Sequence, residues 1–112
     1  MAKKSYEEAL TIQSDDADTL NNYGVFLCRQ EQYDEAEIQI NKAIAVPSYI
    51  LVAKSYENLA LCQLKAMRFV KAESYFEKAI LHSPSSATIL LHMVQLQYAK
   101  RSYKTDKSWF KR

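Results

Sequence analysis

The sequence predicts an all-α solenoid of helix-turn-helix repeats, and three observations carry that prediction. One glycine and two prolines in 112 residues leave little material for hairpin turns, which argues against a β architecture. Small residues recur at a helical-repeat period: Ala9, Ala43 and Ala79 are separated by 34 and 36 residues, and Ala36 and Ala72 by 36. Aromatic residues keep the same step, with Tyr33 and Phe69 three residues before Ala36 and Ala72, and Tyr103 in the corresponding place of a third unit. Each aromatic falls where one helix ends and the next begins. Ile40 and Phe76, four residues after their alanines, share the alanines' helical face.

The elements follow in order. Residues 3–12 (KKSYEEALTI) read as the second helix of a partial repeat, with Tyr6 and Ala9 in the slots of Phe76 and Ala79. The first repeat, 17–46, opens with a helix over about 17–30, capped by Asp15 or Asp16, and continues with one over about 33–45. Pro47 and a two-residue insertion in PSYIL lead to the second repeat, 51–83, with helices over about 51–65 and 69–82. Ser83-Pro84-Ser85-Ser86 stops that repeat and caps the next. The third, partial repeat covers 86–112, with a helix over about 86–100 and a further one starting near 103. The expectation is a single domain of about two and a half to three repeats that begins and ends in mid-repeat, as a piece of a longer array would.

In this register the lone glycine has an explanation. Gly24, within NNYGVFLC (21–28), and Ala60 take the same slot in successive first helices, twelve residues before Ala36 and Ala72. Glycine inside a helix costs about 1 kcal/mol against alanine. Close approach of the two helices of a hairpin offsets that cost, so Gly24 is expected to face Ala36.

Composition narrows the function. Hydrophobic residues make up 48% and charged residues 25%, the balance of a globular chain, and no apolar run approaches a membrane span of about 20 residues. Residues 100–112 carry six Lys/Arg and one Asp, a charge of +5, which leaves 2 − 5 = −3 for residues 1–99. The basic tail, with Trp109 and Phe110 among Lys104, Lys107, Lys111 and Arg112, has two readings. One is an anionic partner such as nucleic acid or a membrane surface; the favoured one is a helix fragment whose aromatics pack on a neighbouring helix. His82 and His92 have no grouped co-ligands, so neither a metal nor any other cofactor is expected. No nucleophile, acid and base converge in the repeat register, which argues against an enzyme. Cys28 lies four residues after the Gly24 slot and Cys62 two after the Ala60 slot. Stacked first helices would let the two thiols meet across the first inter-repeat interface; in a reducing compartment they would be ordinary buried thiols.

Several words are more particular than the repeat demands: NNYGVFLC at 21–28, YDEAE at 33–37, Pro47-Ser48-Tyr49, ENLALC at 57–62 and AESYFEKAI at 72–80. In this order and spacing the chain resembles tetratricopeptide-repeat proteins, and among them the type IV pilus biogenesis lipoproteins PilF and PilW. The resemblance implies a right-handed superhelix, a place on the periplasmic face of the bacterial outer membrane, and a role in outer-membrane insertion or multimerisation of the pilus secretin. It implies a parent protein with a lipidated N-terminal cysteine, and it favours a Cys28–Cys62 disulfide. Thr105-Asp106, standing where a small residue should pack, departs from the pattern and puts a complete third hairpin in doubt.

Function is expected on the concave face, lined by successive first helices. The slots three residues before, one after and five after Gly24 or Ala60 give Asn21, Val25 and Arg29, then Glu57, Leu61 and Lys65, then Leu91, Gln95 and Ala99. Asn22, Asn58 and Tyr98 flank them. An apolar strip of Val25, Leu61 and Leu91 edged by polar groups suits an amphipathic peptide or helix of a protein partner. The alternative is a general repeat scaffold or co-chaperone with another client.

Overall fold

A computed structural model describes residues 2–110, with side chains for 2–104. Among the described residues the chain forms six helices and no strand: α1 (Ala2–Ile12), α2 (Ala17–Arg29), α3 (Tyr33–Ala45), α4 (Val52–Lys65), α5 (Phe69–His82) and α6 (Ala87–Phe110). Helices α2/α3 and α4/α5 are antiparallel hairpins. α1 packs on α2, and α6 packs on α5 and α4. Stacking in one direction makes the molecule elongated, 55 × 34 × 16 Å.

Local chemistry sets the ends of these helices. Asp16, not Asp15, is the cap of α2, its Oδ1 accepting from the Thr19 N–H at 3.3 Å. Ser86 does the same for α6, accepting from the Ile89 N–H at 3.2 Å. Helices α2 and α4 end alike: the N–H of Gln32 reaches back to the Leu27 carbonyl (2.9 Å) and that of Arg68 to the Gln63 carbonyl (2.8 Å). Both turns pass through a left-handed residue, Glu31 (φ 63°) and Met67 (φ 62°). Glycine is the usual occupant of such a site, and a side chain there costs about 1 kcal/mol. The chain has instead placed its glycine inside a helix.

Gly24 is buried at the crossing of α2 and α3. A Cβ built there would overlap Ile40 Cγ1 and lie 3.0 Å from Ile40 Cδ1 and 3.1 Å from the Ala36 carbonyl oxygen. The expected close approach is present, but the nearest neighbour is the Ile40 side chain, with Ala36 contributing its backbone. The core lies in two clusters. Tyr23, Leu27, Cys28, Ala36 and Cys62 form one, with Tyr6, Leu10, Phe26 and Tyr33 around it; Ala60, Ala72, Phe76, Ala79, Ile89 and Leu96 form the other.

The expected break near residue 103 is absent, because α6 runs unbroken from Ala87 to Phe110. Tyr103, expected to open a new helix, sits within α6 with its ring edge-on to Phe69 at 5.4 Å. Trp109, Phe110 and the other residues of the tail beyond 104 lie outside the described side chains. No helix among the described residues is long and apolar enough to cross a membrane.

Candidate partner-binding groove

The first two repeat units are 36 residues apart, and side-chain contacts between them fall on either side of that step, several at 34 and others at 37 and 38. Cys28 pairs with Cys62 as a disulfide, with Cα atoms 5.8 Å apart. Ser55 Oγ donates to Asn21 Oδ1 at 2.7 Å, Arg68 reaches Asp34 at 2.6 Å, and Lys71 reaches Glu37 at 3.1 Å. The last two pairs are surface ion pairs, worth at most about 1 kcal/mol each. The first two fix the α2–α4 interface.

Several of the residues expected to line the groove serve this interface instead of facing outward freely. Asn21 Oδ1 accepts from both Ser55 Oγ and Asn58 Nδ2, the latter at 3.3 Å, and Ser55 also lies 3.4 Å from the Tyr49 hydroxyl. Asn21 and Asn58 are half-buried and Ser55 is fully buried. Glu57 is buried too, its Oε1 3.3 Å from Lys54 Nζ and its Oε2 3.4 Å from His92 Nε2 on α6. The other nitrogen of that imidazole meets Gln95 Oε1 at 3.0 Å, and its ring stacks on Phe76. A buried carboxylate is costly unless paired; Lys54 pairs with Glu57 Oε1, while the buried Oε2 faces the imidazole without a hydrogen-bond partner.

What faces outward is narrower. Val25 and Leu61 are half-buried and Leu91 is 56% exposed; Asn22, Arg29, Lys65, Gln95 and Tyr98 are exposed. Leu61 also leans on the second core cluster. Tyr98 sits apart from this set, because Leu90, Val94 and Tyr98 recur every four residues along a different face of α6. Ser55, Tyr49, Lys54 and His92 escape the reading of the sequence. The interval of 34 that joins Asn21 to Ser55 was the available signal.

Residues 15–81 match the tetratricopeptide repeat model. The chain belongs to the tetratricopeptide repeat family. Within it, the chain is 32% identical over 110 residues to the type IV pilus assembly protein PilF of Pseudomonas aeruginosa strain PAO1, covering 98% of this chain and 44% of the relative. An uncharacterized protein of Haemophilus influenzae strain Rd is 32% identical over 77 residues, 69% of this chain and 43% of its own. Among solved structures, Pseudomonas aeruginosa PilF superposes with a TM-score of 0.79 at 32% identity, over 98% of this chain and 50% of that one. PilW, described as a widely conserved type IV pilus biogenesis factor, gives 0.79 at 30% identity, over 87% and 44%. This tetratricopeptide repeat chain thus spans about half the length of the relatives it matches. It is an all-α repeat solenoid similar throughout to type IV pilus biogenesis proteins.

Proposed function

We propose that the chain is a non-catalytic protein-binding module of type IV pilus biogenesis, acting in the bacterial envelope at the periplasmic face of the outer membrane. Its partner is an amphipathic segment of the pilus secretin, whose assembly or localisation it assists. The observation that carries this reading is the 32% identity to a pilus assembly protein along 98% of the chain, with the fold kept at a TM-score of 0.79. The contact surface is the strip of Val25, Leu61 and Leu91, with Asn22, Arg29, Lys65 and Gln95 at its edges. Apolar side chains at this spacing take the buried face of a helix, and the polar rim sets its orientation.

Titration calorimetry against peptides tiling the secretin of the same organism tests the proposal. One segment should bind saturably and lose at least about tenfold in affinity, equivalent to about 1.4 kcal/mol, in Leu61→Glu and in Leu91→Glu. Leu91 is exposed, so its variant separates lost contact from lost fold. Absence of binding by any segment to the folded chain rejects this partner.

A further inference from the structure

The two complete hairpins share one plan and differ at one corner. In the second, the Tyr56 ring of α4 stacks on His82, at the end of α5, at 5.5 Å and on Tyr75 at 6.4 Å, and Lys78 holds its ammonium 6.0 Å from the centre of the Tyr56 ring. The step of 36 residues that relates Gly24 to Ala60 and Ala36 to Ala72 places Leu20, Gln39, Lys42 and Val46 in the slots of Tyr56, Tyr75, Lys78 and His82. The lysine is kept, and every ring around it is gone. The smaller side chains leave the space open: a cleft of about 290 Å³ lies between the turn joining α1 to α2 and the end of α3, lined by the apolar Leu20, Ala45, Val46 and Pro47 and by the exposed Lys42 and Asp15. An enclosed apolar cavity of about 150 Å³ takes benzene, so this cleft has room for one ring. Among the described residues Lys42 has neither an ion pair nor a ring beneath it.

We infer that this cleft is a socket for one aromatic side chain, tyrosine or phenylalanine, of a partner protein. The second hairpin shows what the corner accommodates: a phenol ring with an ammonium over its face. In the first hairpin the ammonium is in place, and the ring comes from outside. An aliphatic side chain would meet the same apolar walls but would offer Lys42 no π-face, and the attraction of a cation to a ring at an exposed site is worth about two- to fivefold in affinity. Asp15 offers an acceptor for a tyrosine hydroxyl or for a backbone N–H of the segment that carries the ring, since the cap of α2 is Asp16 and leaves its neighbour free of that duty. The walls are preformed. That cap fixes the turn on one side, and the fully buried Ala43 anchors the end of α3 on the other. The socket shares no residue with the strip of Val25, Leu61 and Leu91, and the inference stands whichever partner that strip takes.

N-acetyl-tyrosine amide serves as the probe, with N-acetyl-cyclohexylalanine amide as its non-aromatic counterpart. Titrated into the isotope-labelled oxidised chain and followed by nuclear magnetic resonance, the tyrosine probe should shift the methyl signals of Leu20 and Val46 through its ring current. Saturation should fall in the millimolar range, as suits a ligand of one ring. The cyclohexyl counterpart should bind about two- to fivefold more weakly, and Lys42→Gln should remove that difference. Leu20→Tyr combined with Val46→His rebuilds the filled corner of the second hairpin and should abolish the shifts while helical circular dichroism is kept. Lys42 is exposed, so its variant keeps the fold and tests the site independently of the double variant. Methyl signals that do not move up to the solubility limit of the probe overturn the proposal. So do equal binding of the two probes by the wild type, a tyrosine preference that survives in Lys42→Gln, and undiminished binding by a folded double variant.

Discussion

Replacing Gly24 by alanine sets two effects of similar size against each other. Helix propensity alone predicts a gain of about 1 kcal/mol. The new methyl group, however, would overlap Ile40 Cγ1 and press on the Ala36 carbonyl oxygen at 3.1 Å. Ile40 is fully buried and cannot swing into solvent, and a carbonyl within a helix yields only if α2 and α3 part. Overpacking of this kind costs about 1–3 kcal/mol, and the contact is close enough to place it at the upper end. Gly24→Ala should therefore destabilise the chain by about 1–2 kcal/mol net, lowering the melting temperature by about 4–8 °C for each kcal/mol. Urea denaturation of a double-mutant cycle with Ile40→Ala isolates the cause. Ile40→Ala by itself costs about 2–5 kcal/mol as a cavity. In that background the clash with Ile40 is gone while the Ala36 carbonyl still stands 3.1 Å from the new methyl, so Gly24→Ala should be close to neutral, at least about 1 kcal/mol more favourable than in the wild type. Stabilisation by Gly24→Ala in the wild-type background, or the same destabilisation in both backgrounds, refutes the packing argument.

Two further predictions concern restraint and titration. The Cys28–Cys62 bond spans 34 residues, and the chain-entropy relation assigns such a closure about 4 kcal/mol. Cys28→Ser and the reduced wild type should each lose about 3–4 kcal/mol in urea titration; a loss below about 1 kcal/mol would show that the bond restrains little. Burial first, and then the Glu37 carboxylate that accepts its hydroxyl proton at 2.5 Å, hold the Tyr75 phenol above its ordinary value of 10.0. The unfolded phenol ionises before the folded one as pH rises, so this contribution is complete below pH 10 and lost as pH climbs through the folded value. Tyr75→Phe should flatten the alkaline fall in thermal stability, and an unchanged slope would show that Tyr75 has no part in it.

The repeat was legible because packing repeats. Alanines at 34 and 36 and aromatics three residues ahead of them place α2 to α5 within a residue or two of their observed ends. Tyr103 misled for a physical reason. At 31 and 67 the chain accepts a left-handed residue because the following helix buries an alanine and a large apolar side chain in return. Around 101 no such return exists, since Asp106 stands in the slot of Ala36 and Ala72. Lys100 and Arg101 favour continued helix, and local propensity wins. The groove was harder to read. Its slots follow from the period, but which of them turn inward depends on packing between units, which buries Glu57 beneath His92 and ties Asn21 to Ser55.

The two joints of the stack differ in kind. Between α2 and α4 lie a covalent bond and a short hydrogen bond from a fully buried hydroxyl; between α4 and α6 the polar link is a carboxylate facing an imidazole. Covalent restraint is thus confined to the first joint, and the second relies on the buried apolar contacts of Ile89 and Leu96. The strip proposed to meet a partner, from Val25 through Leu61 to Leu91, crosses both joints, so a crosslink fixes the spacing of its first half only.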